Sequence, residues 1–321
     1  MVDTKKIFFL AVNTGMTDGD NLITQKFIEF YETRASERLH CAIVGNVVIP
    51  NGFGTNGASP KLTDDKIWTE LASRIENKGS IPGIQLASTW MGYKGQYNFI
   101  SKLDNVSLYK GYATEFNENF ILEQFQNLKQ GTELAIKHGF RHIQLHAAHG
   151  YLFNLLIEPF FTIHHELVLS YLNDWLLLLK KHEIESSIRI SLITGDPSLD
   201  EVLNIKSLMG VIKPDFYDLS EGFYNINKRL IYPYSRNIEN RIERQISISN
   251  QFKEQEFISS GLSYGHIRHE EIPNNLHIGI CRNLIASPNF LFSEEVKCDS
   301  CSKCHYYSRG KQELECPQWN L

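Results

Sequence analysis

The chain has 321 residues, 42% of them hydrophobic and 21% charged, with a formal net charge of −5. This balance excludes a disordered polyelectrolyte, and the acidic charge gives no reason to expect nucleic acid or an anionic membrane as a partner. The apolar run at 7–12 is too short for a secretory leader, and the leucines at 176–179 sit between Asp174 and Lys180, so a cytoplasmic protein without membrane spans is expected.

Strand and helix signals alternate along the chain. The continuous apolar run 7–12 reads as a strand buried on both faces, stopped by Asn13-Thr14-Gly15. Thr24 is placed to cap a helix through about residue 39, and a second strand with its exit covers 42–49. The glycine-rich loop 51–60 is misspaced for a dinucleotide fingerprint and no helix starts there, so it reads as structural. A helix to about residue 77 leads into strand three at 81–86, and 87–114 reads as an irregular connection. A helix at 117–138 ends at Gly139 and delivers strand four, 140–145. After Tyr151 a further irregular stretch precedes a helix at 165–182. Strands at 187–192, 214–219, 256–258 and 276–281 follow, separated by helices at 200–211 and 238–250, with a last helix at 283–290.

Eight strand-then-helix units without hairpin signals imply parallel pairing, and they close most economically into a (β/α)8 TIM barrel; an open doubly wound sheet is the alternative. Residues 1–293 are assigned to the barrel and 294–321 to a cysteine-rich tail packed on it. Chemistry in such barrels sits at the carboxyl ends of the strands. Those ends carry Asn13, Thr14, Gly45, Asn46, Gln85, His146, His149, Arg189, Ser220, Glu221, Ser260, Gly261 and Arg282. The set lacks an acidic pair of the glycosidase kind and a serine nucleophile elbow. Its amide, guanidinium and backbone donors suit a large, electron-rich, anionic cofactor. In the tail, Cys298, Cys301, Cys304 and Cys316 have a spacing that fits tetrathiolate zinc or a [4Fe–4S] cluster; metal-free thiols are the other reading.

The stretch His146-Ala147-Ala148-His149-Gly150-Tyr151-Leu152 resembles the old yellow enzyme family of FMN-dependent ene-reductases and NADH:flavin oxidoreductases. Gly83-Ile84-Gln85-Leu86, Ile188-Arg189-Ile190-Ser191 and the segment from Ile280 to Pro288 are similar to its third, fifth and last strands, in the same order. The resemblance implies a barrel carrying FMN, with NAD(P)H as cosubstrate. It gives Gln85 and Asn46 to the flavin ring, Arg189 to N1 and C2=O, Thr14 to C4=O, and Ser260, Gly261 and Arg282 to the phosphate. His146 and His149 would clamp the oxygen of an α,β-unsaturated carbonyl substrate, and Tyr151 would give a proton to its α carbon. The implied function is reduction of an activated C=C in a small molecule, by a protein that could form homo-oligomers. A flavin-dependent desaturase or dehydrogenase, or a degenerate non-catalytic barrel subunit, remain the other readings. The chain departs from the family at Val12, where a proline is usual, at Ser260, which replaces one of two glycines, at Cys281, and in the short segment 160–165.

Overall fold

In the computed structural model the described residues are 5–95, 104–231, 235–261, 272–293 and 298–320, with the side chains of 235–239 and 320 left aside. Eight parallel strands close into a barrel in sequence order. They are β1 (Ile7–Phe9), β2 (Cys41–Val48), β3 (Ile81–Ala87), β4 (His142–Ala147), β5 (Glu185–Ser191), β6 (Phe216–Ser220), β7 (Glu256–Ser259) and β8 (Leu276–Ile280). Pairing of β1 with β8 rules out the open sheet. The helices are α1 (Gln25–Glu32), α2 (Ile67–Glu76), α3 (Asn105–Ala113), α4 (Glu118–Lys137), α5 (Leu152–Leu156), α6 (His165–Lys181), α7 (Pro197–Asp200), α8 (Ile205–Val211), α9 (Lys228–Ile231), α10 (Ser235–Gln251) and α11 (Arg282–Ala286). Among the described residues no helix is long and apolar enough to cross a membrane.

The strands read as apolar runs because both faces are covered: every residue of β2, β4, β6 and β8 is buried. Thr24 caps α1 by accepting from the Phe27 N–H, as its position after a strand exit implies. Gly139, at φ +90°, ends the α4 connection and turns the chain into β4. Two helices depart from the expected irregular connections. Helix α3 starts at Asp104, whose carboxylate accepts from the Ser107 N–H at 3.0 Å, and it buries Tyr109 between Trp90 and Phe223. Helix α5 follows Tyr151 directly, and all five of its residues are buried, so no polar stripe marks it as a helix.

The tail crosses the carboxyl mouth of the barrel. Leu314 N–H donates to the Thr14 carbonyl at 2.7 Å, and Tyr306 donates to Asn13 Oδ1 at 2.9 Å. Trp319 Nε1 donates to the Ile285 carbonyl at 2.7 Å. The expectation of a metal centre here finds no support: among the described residues no three His, Cys, Asp or Glu side chains converge as ligands, and all four tail cysteines are free. Cys304 and Cys316 pack against the hydrophobic core, and burial pushes the Cys304 thiol up to about 12, far from a thiolate; Cys298 and Cys301 are half-buried outside any helix or strand.

Candidate active site

One cavity at the carboxyl mouth gathers most of the strand-end residues. It is lined by Asn46, Gln85, His146, His149, Tyr151 and Arg189, and on its other side by Gly261 and Arg282. Thr14 and Ser260 are not in its lining. The Thr14 hydroxyl accepts from the Met16 N–H at 3.2 Å, in a local turn. Ser260 uses both its hydroxyl and its N–H on the Leu219 carbonyl, at 2.8 and 3.3 Å, which leaves Gly261 to present the backbone at the end of β7.

Tyr31 on α1 presents Asn46. Its buried hydroxyl donates to the Val12 carbonyl at 2.9 Å and accepts from the Gly45 N–H at 3.1 Å. This ties the exit of β1 to the irregularity in β2 between Val44 and Val47, where Asn46 leaves the regular ladder. The position needs Gly45: its φ is +151°, and a Cβ there would stand 2.9 Å from the Cβ of Gln85.

A buried polar ladder forms the cavity floor. Gln85 donates to Gln144, Gln144 donates to Asp218 at 3.3 Å, and Arg189 donates to Asp218 at 3.0 Å and to the Ser220 hydroxyl at 3.3 Å. Asp218 is fully buried; burial pushes its carboxyl up, against the pull of Arg189. Gln144 and Asp218 were missed in the sequence because both lie inside apolar strand runs. Their period-two alternation onto the barrel interior was the available signal.

His149 sits at φ +65° just past β4. Its Nδ1–H donates to the Gly222 carbonyl at 3.0 Å, so Nε2 is the acceptor for the Ser220 hydroxyl at 3.3 Å. Burial, then Arg189, pulls its pKa down to about 3, and His146 is held well below the usual imidazole range by burial and by His149. Both rings are therefore neutral at ordinary pH. The Tyr151 ring lies 4.9 Å from the His146 ring and stacks on Tyr224 at 5.7 Å. Tyr224, placed three residues past the Ser220-Glu221 strand end, was another residue that sequence reasoning passed over.

Arg241 of α10, also missed, is fully buried against the end of β7. A Cβ at Gly261 would stand 1.6 Å from its Nη1. Its Nε is 3.4 Å from Glu221 Oε2, but Glu221 is already gripped by Arg244 at 2.7 and 2.9 Å. Two guanidiniums thus share one carboxylate beside Gly261, and Arg241 Nη2 is left without a partner.

The arrangement fits a flavin mononucleotide by its vacant valences. Buried His146 Nδ1 and Arg189 Nε have no hydrogen-bond partner, which a protein interior rarely tolerates unless a ligand supplies one. Gln85 and Arg189 line the cavity with donors of the kind a flavin ring edge takes, and Gly261 and Arg282 line it with an N–H and a guanidinium of the kind a phosphate takes.

The carboxyl mouth of this TIM barrel thus joins a histidine–tyrosine cluster to a buried polar floor. Residues 8–163, from β1 through the segment after α5, match the NADH:flavin oxidoreductase / NADH oxidase family. An NADPH dehydrogenase of Halalkalibacterium halodurans is 32% identical over 145 residues, 44% of this chain and 42% of that protein. The chain thus spans well under half of that relative's length. Among solved structures, the old yellow enzyme from Pichia sp. AKU4542 overlays with a TM-score of 0.65 at 17% identity, covering 89% of this chain and 81% of that one. A 2-naphthoyl-CoA reductase in complex with 2-naphthoyl-CoA gives a TM-score of 0.74 at 14% identity, covering 97% of this chain and 54% of that one. At these identities the overlays show a shared fold.

Proposed function

We propose that the protein is an FMN-dependent, NAD(P)H-consuming oxidoreductase that reduces the activated C=C bond of an α,β-unsaturated carbonyl compound. The observation that carries this reading is the unpartnered, buried ring nitrogen of His146 beside Tyr151, in one cavity with Gln85 and Arg189. FMN, when bound, would supply the two-electron chemistry, accepting hydride from NAD(P)H and delivering it to the substrate's β carbon. Gln85 and Asn46 would orient the flavin ring, and Arg189 would place its cation beside the edge that gains charge on reduction. Arg282 and the Gly261 N–H would hold the phosphate end. His146, neutral and with a free ring nitrogen, would hydrogen-bond the substrate's carbonyl oxygen and draw electron density from the β carbon. Tyr151 would pass a proton from its phenol to the α carbon of the enolate, as a general acid. The family match and the name of the curated relative support the nicotinamide and flavin parts of the reading.

The test is Tyr151→Phe in protein loaded with FMN. Reduction by NAD(P)H should proceed within about twofold of wild type, while the enone half-reaction slows by about a hundredfold or more, as expected for loss of a general acid. Equal losses in both half-reactions would remove Tyr151 from the proton-donor role.

A further inference from the structure

Lys228 opens α9 and is only 1% exposed, yet it lines the same cavity as Tyr151. Its ammonium donates to the Ser308 hydroxyl of the tail at 3.2 Å and stands 5.5 Å from the centroid of the Tyr224 ring. Among the described residues no carboxylate pairs with it. Two neighbouring cations do have counter-charges: Arg189 faces Asp218 at 3.0 Å, and buried Arg241 faces Glu221 at 3.4 Å. Burial draws the Lys228 pKa down to about 8, so the ammonium is charged in most molecules at neutral pH.

A buried ammonium that no carboxylate among the described residues pairs with is costly, and one hydroxyl and one ring face return only part of that cost. A purely structural lysine would extend its head to water, since its four-carbon stem allows that. Lys228 instead keeps its charge in the wall of the cavity, one aromatic ring from Tyr151, because Tyr224 stacks on Tyr151. We propose that this cavity takes a substrate bearing a carboxylate remote from its activated C=C bond, and that Lys228 is the residue that selects it. The inference rests on the oxidoreductase reading above. A phosphate of the nicotinamide cosubstrate presents the same anionic chemistry, and the experiment separates the two.

Protein loaded with FMN is titrated with two phenols, para-hydroxybenzoate and para-cresol, followed by the shift of the flavin's long-wavelength absorption. The two probes differ in the group opposite the phenolic oxygen, a carboxylate in one and a methyl in the other. Wild type should bind the carboxylate probe about tenfold or more tighter, the scale of a charge-assisted contact. Lys228→Met should bring the two affinities within about twofold while leaving para-cresol binding unchanged, and Lys228→Arg should keep the preference. A wild type without preference overturns the proposal whether or not the variants fold. So does a variant that loses both probes equally, which is a packing defect. An unchanged probe ratio with weaker NADPH binding assigns the cation to the cosubstrate and overturns the carboxylate selection. Wild type that takes up no FMN sinks the oxidoreductase reading itself, a result distinct from all of these.

Discussion

At His149 the hydrogen-bond pattern limits what the ring can do. Its one proton is committed to the Gly222 carbonyl, and its other nitrogen accepts from Ser220. A neutral imidazole in that tautomer has no proton left for a substrate oxygen. The two-histidine clamp implied by the family resemblance therefore narrows to His146. His146→Ala should weaken phenol binding by about tenfold or more, the cost of one hydrogen bond to a charged oxygen, whereas His149→Ala should cost about threefold or less. Equal losses in a spectral titration would restore the two-donor clamp. Asp218 has a consequence of the same local kind. It draws on the Arg189 cation at 3.0 Å, so less of that charge is left for a reduced flavin. Asp218→Asn should raise the midpoint potential of bound FMN; an unchanged or lower potential in a dye-coupled titration would contradict this. The histidine–tyrosine cluster was legible from sequence because its types and spacing are unusual. Asp218 was not, since a single acid within Phe216-Tyr217-Asp218-Leu219 reads as part of a strand until barrel closure turns it inward.

Elements decide whether such residues arrive together. Helix α1 carries Tyr31 to the seam of β1 and β2, where one hydroxyl serves both the Val12 carbonyl and the Gly45 N–H. Tyr31→Phe orphans buried backbone groups and should cost roughly 1–3 kcal/mol in denaturant unfolding. FMN affinity should fall with it, because Asn46 is the next residue after Gly45. Stability within about 0.5 kcal/mol of wild type would show that the backbone holds that turn unaided. Helix α1 was legible through its Thr24 cap, and α4 through Gly139. Helices α3 and α5 were not. The first is held by Tyr109 wedged among Trp90 and Phe223, a tertiary cause, and the second is buried all round. The tail's cysteine spacing suits a metal, but among the described residues the thiols do not converge as ligands, and Cys304 packs against the core instead.

For the whole molecule, barrel closure was legible because eight strand signals recur with helices between them and no hairpin turns, a pattern with few solutions. Closure also buries ionisable groups at both ends. At the amino end Glu185 accepts from His142 at 2.6 Å and from His40 at 2.9 Å. Burial alone would raise its carboxyl, but these two hydrogen bonds hold it far below the usual carboxylate range. His277 is drawn down to about 4 by burial and then by Lys6, as His149 is drawn to about 3. An unfolded histidine titrates near about 6.5, so below that pH the unfolded chain binds more protons than the folded one. Stability should therefore fall as pH drops from about 6.5, by roughly 1.4 kcal/mol per pH unit for each such histidine between its two pKa values. Glu185 adds a loss of the same sign below about 4.5. A melting temperature that stays flat from neutral pH down to about 4 would contradict this account of the buried sites.

If the mouth of this barrel binds FMN and carries electrons from NAD(P)H to an enone, a single spectroscopic experiment reads both steps: the protein is saturated with FMN, free flavin is removed, and the visible spectrum is recorded without oxygen. The protein should retain a stoichiometric flavin spectrum, bleached by NADH or NADPH and restored by an α,β-unsaturated ketone. Protein that emerges colourless, or a bleached spectrum that no enone restores, would remove this function.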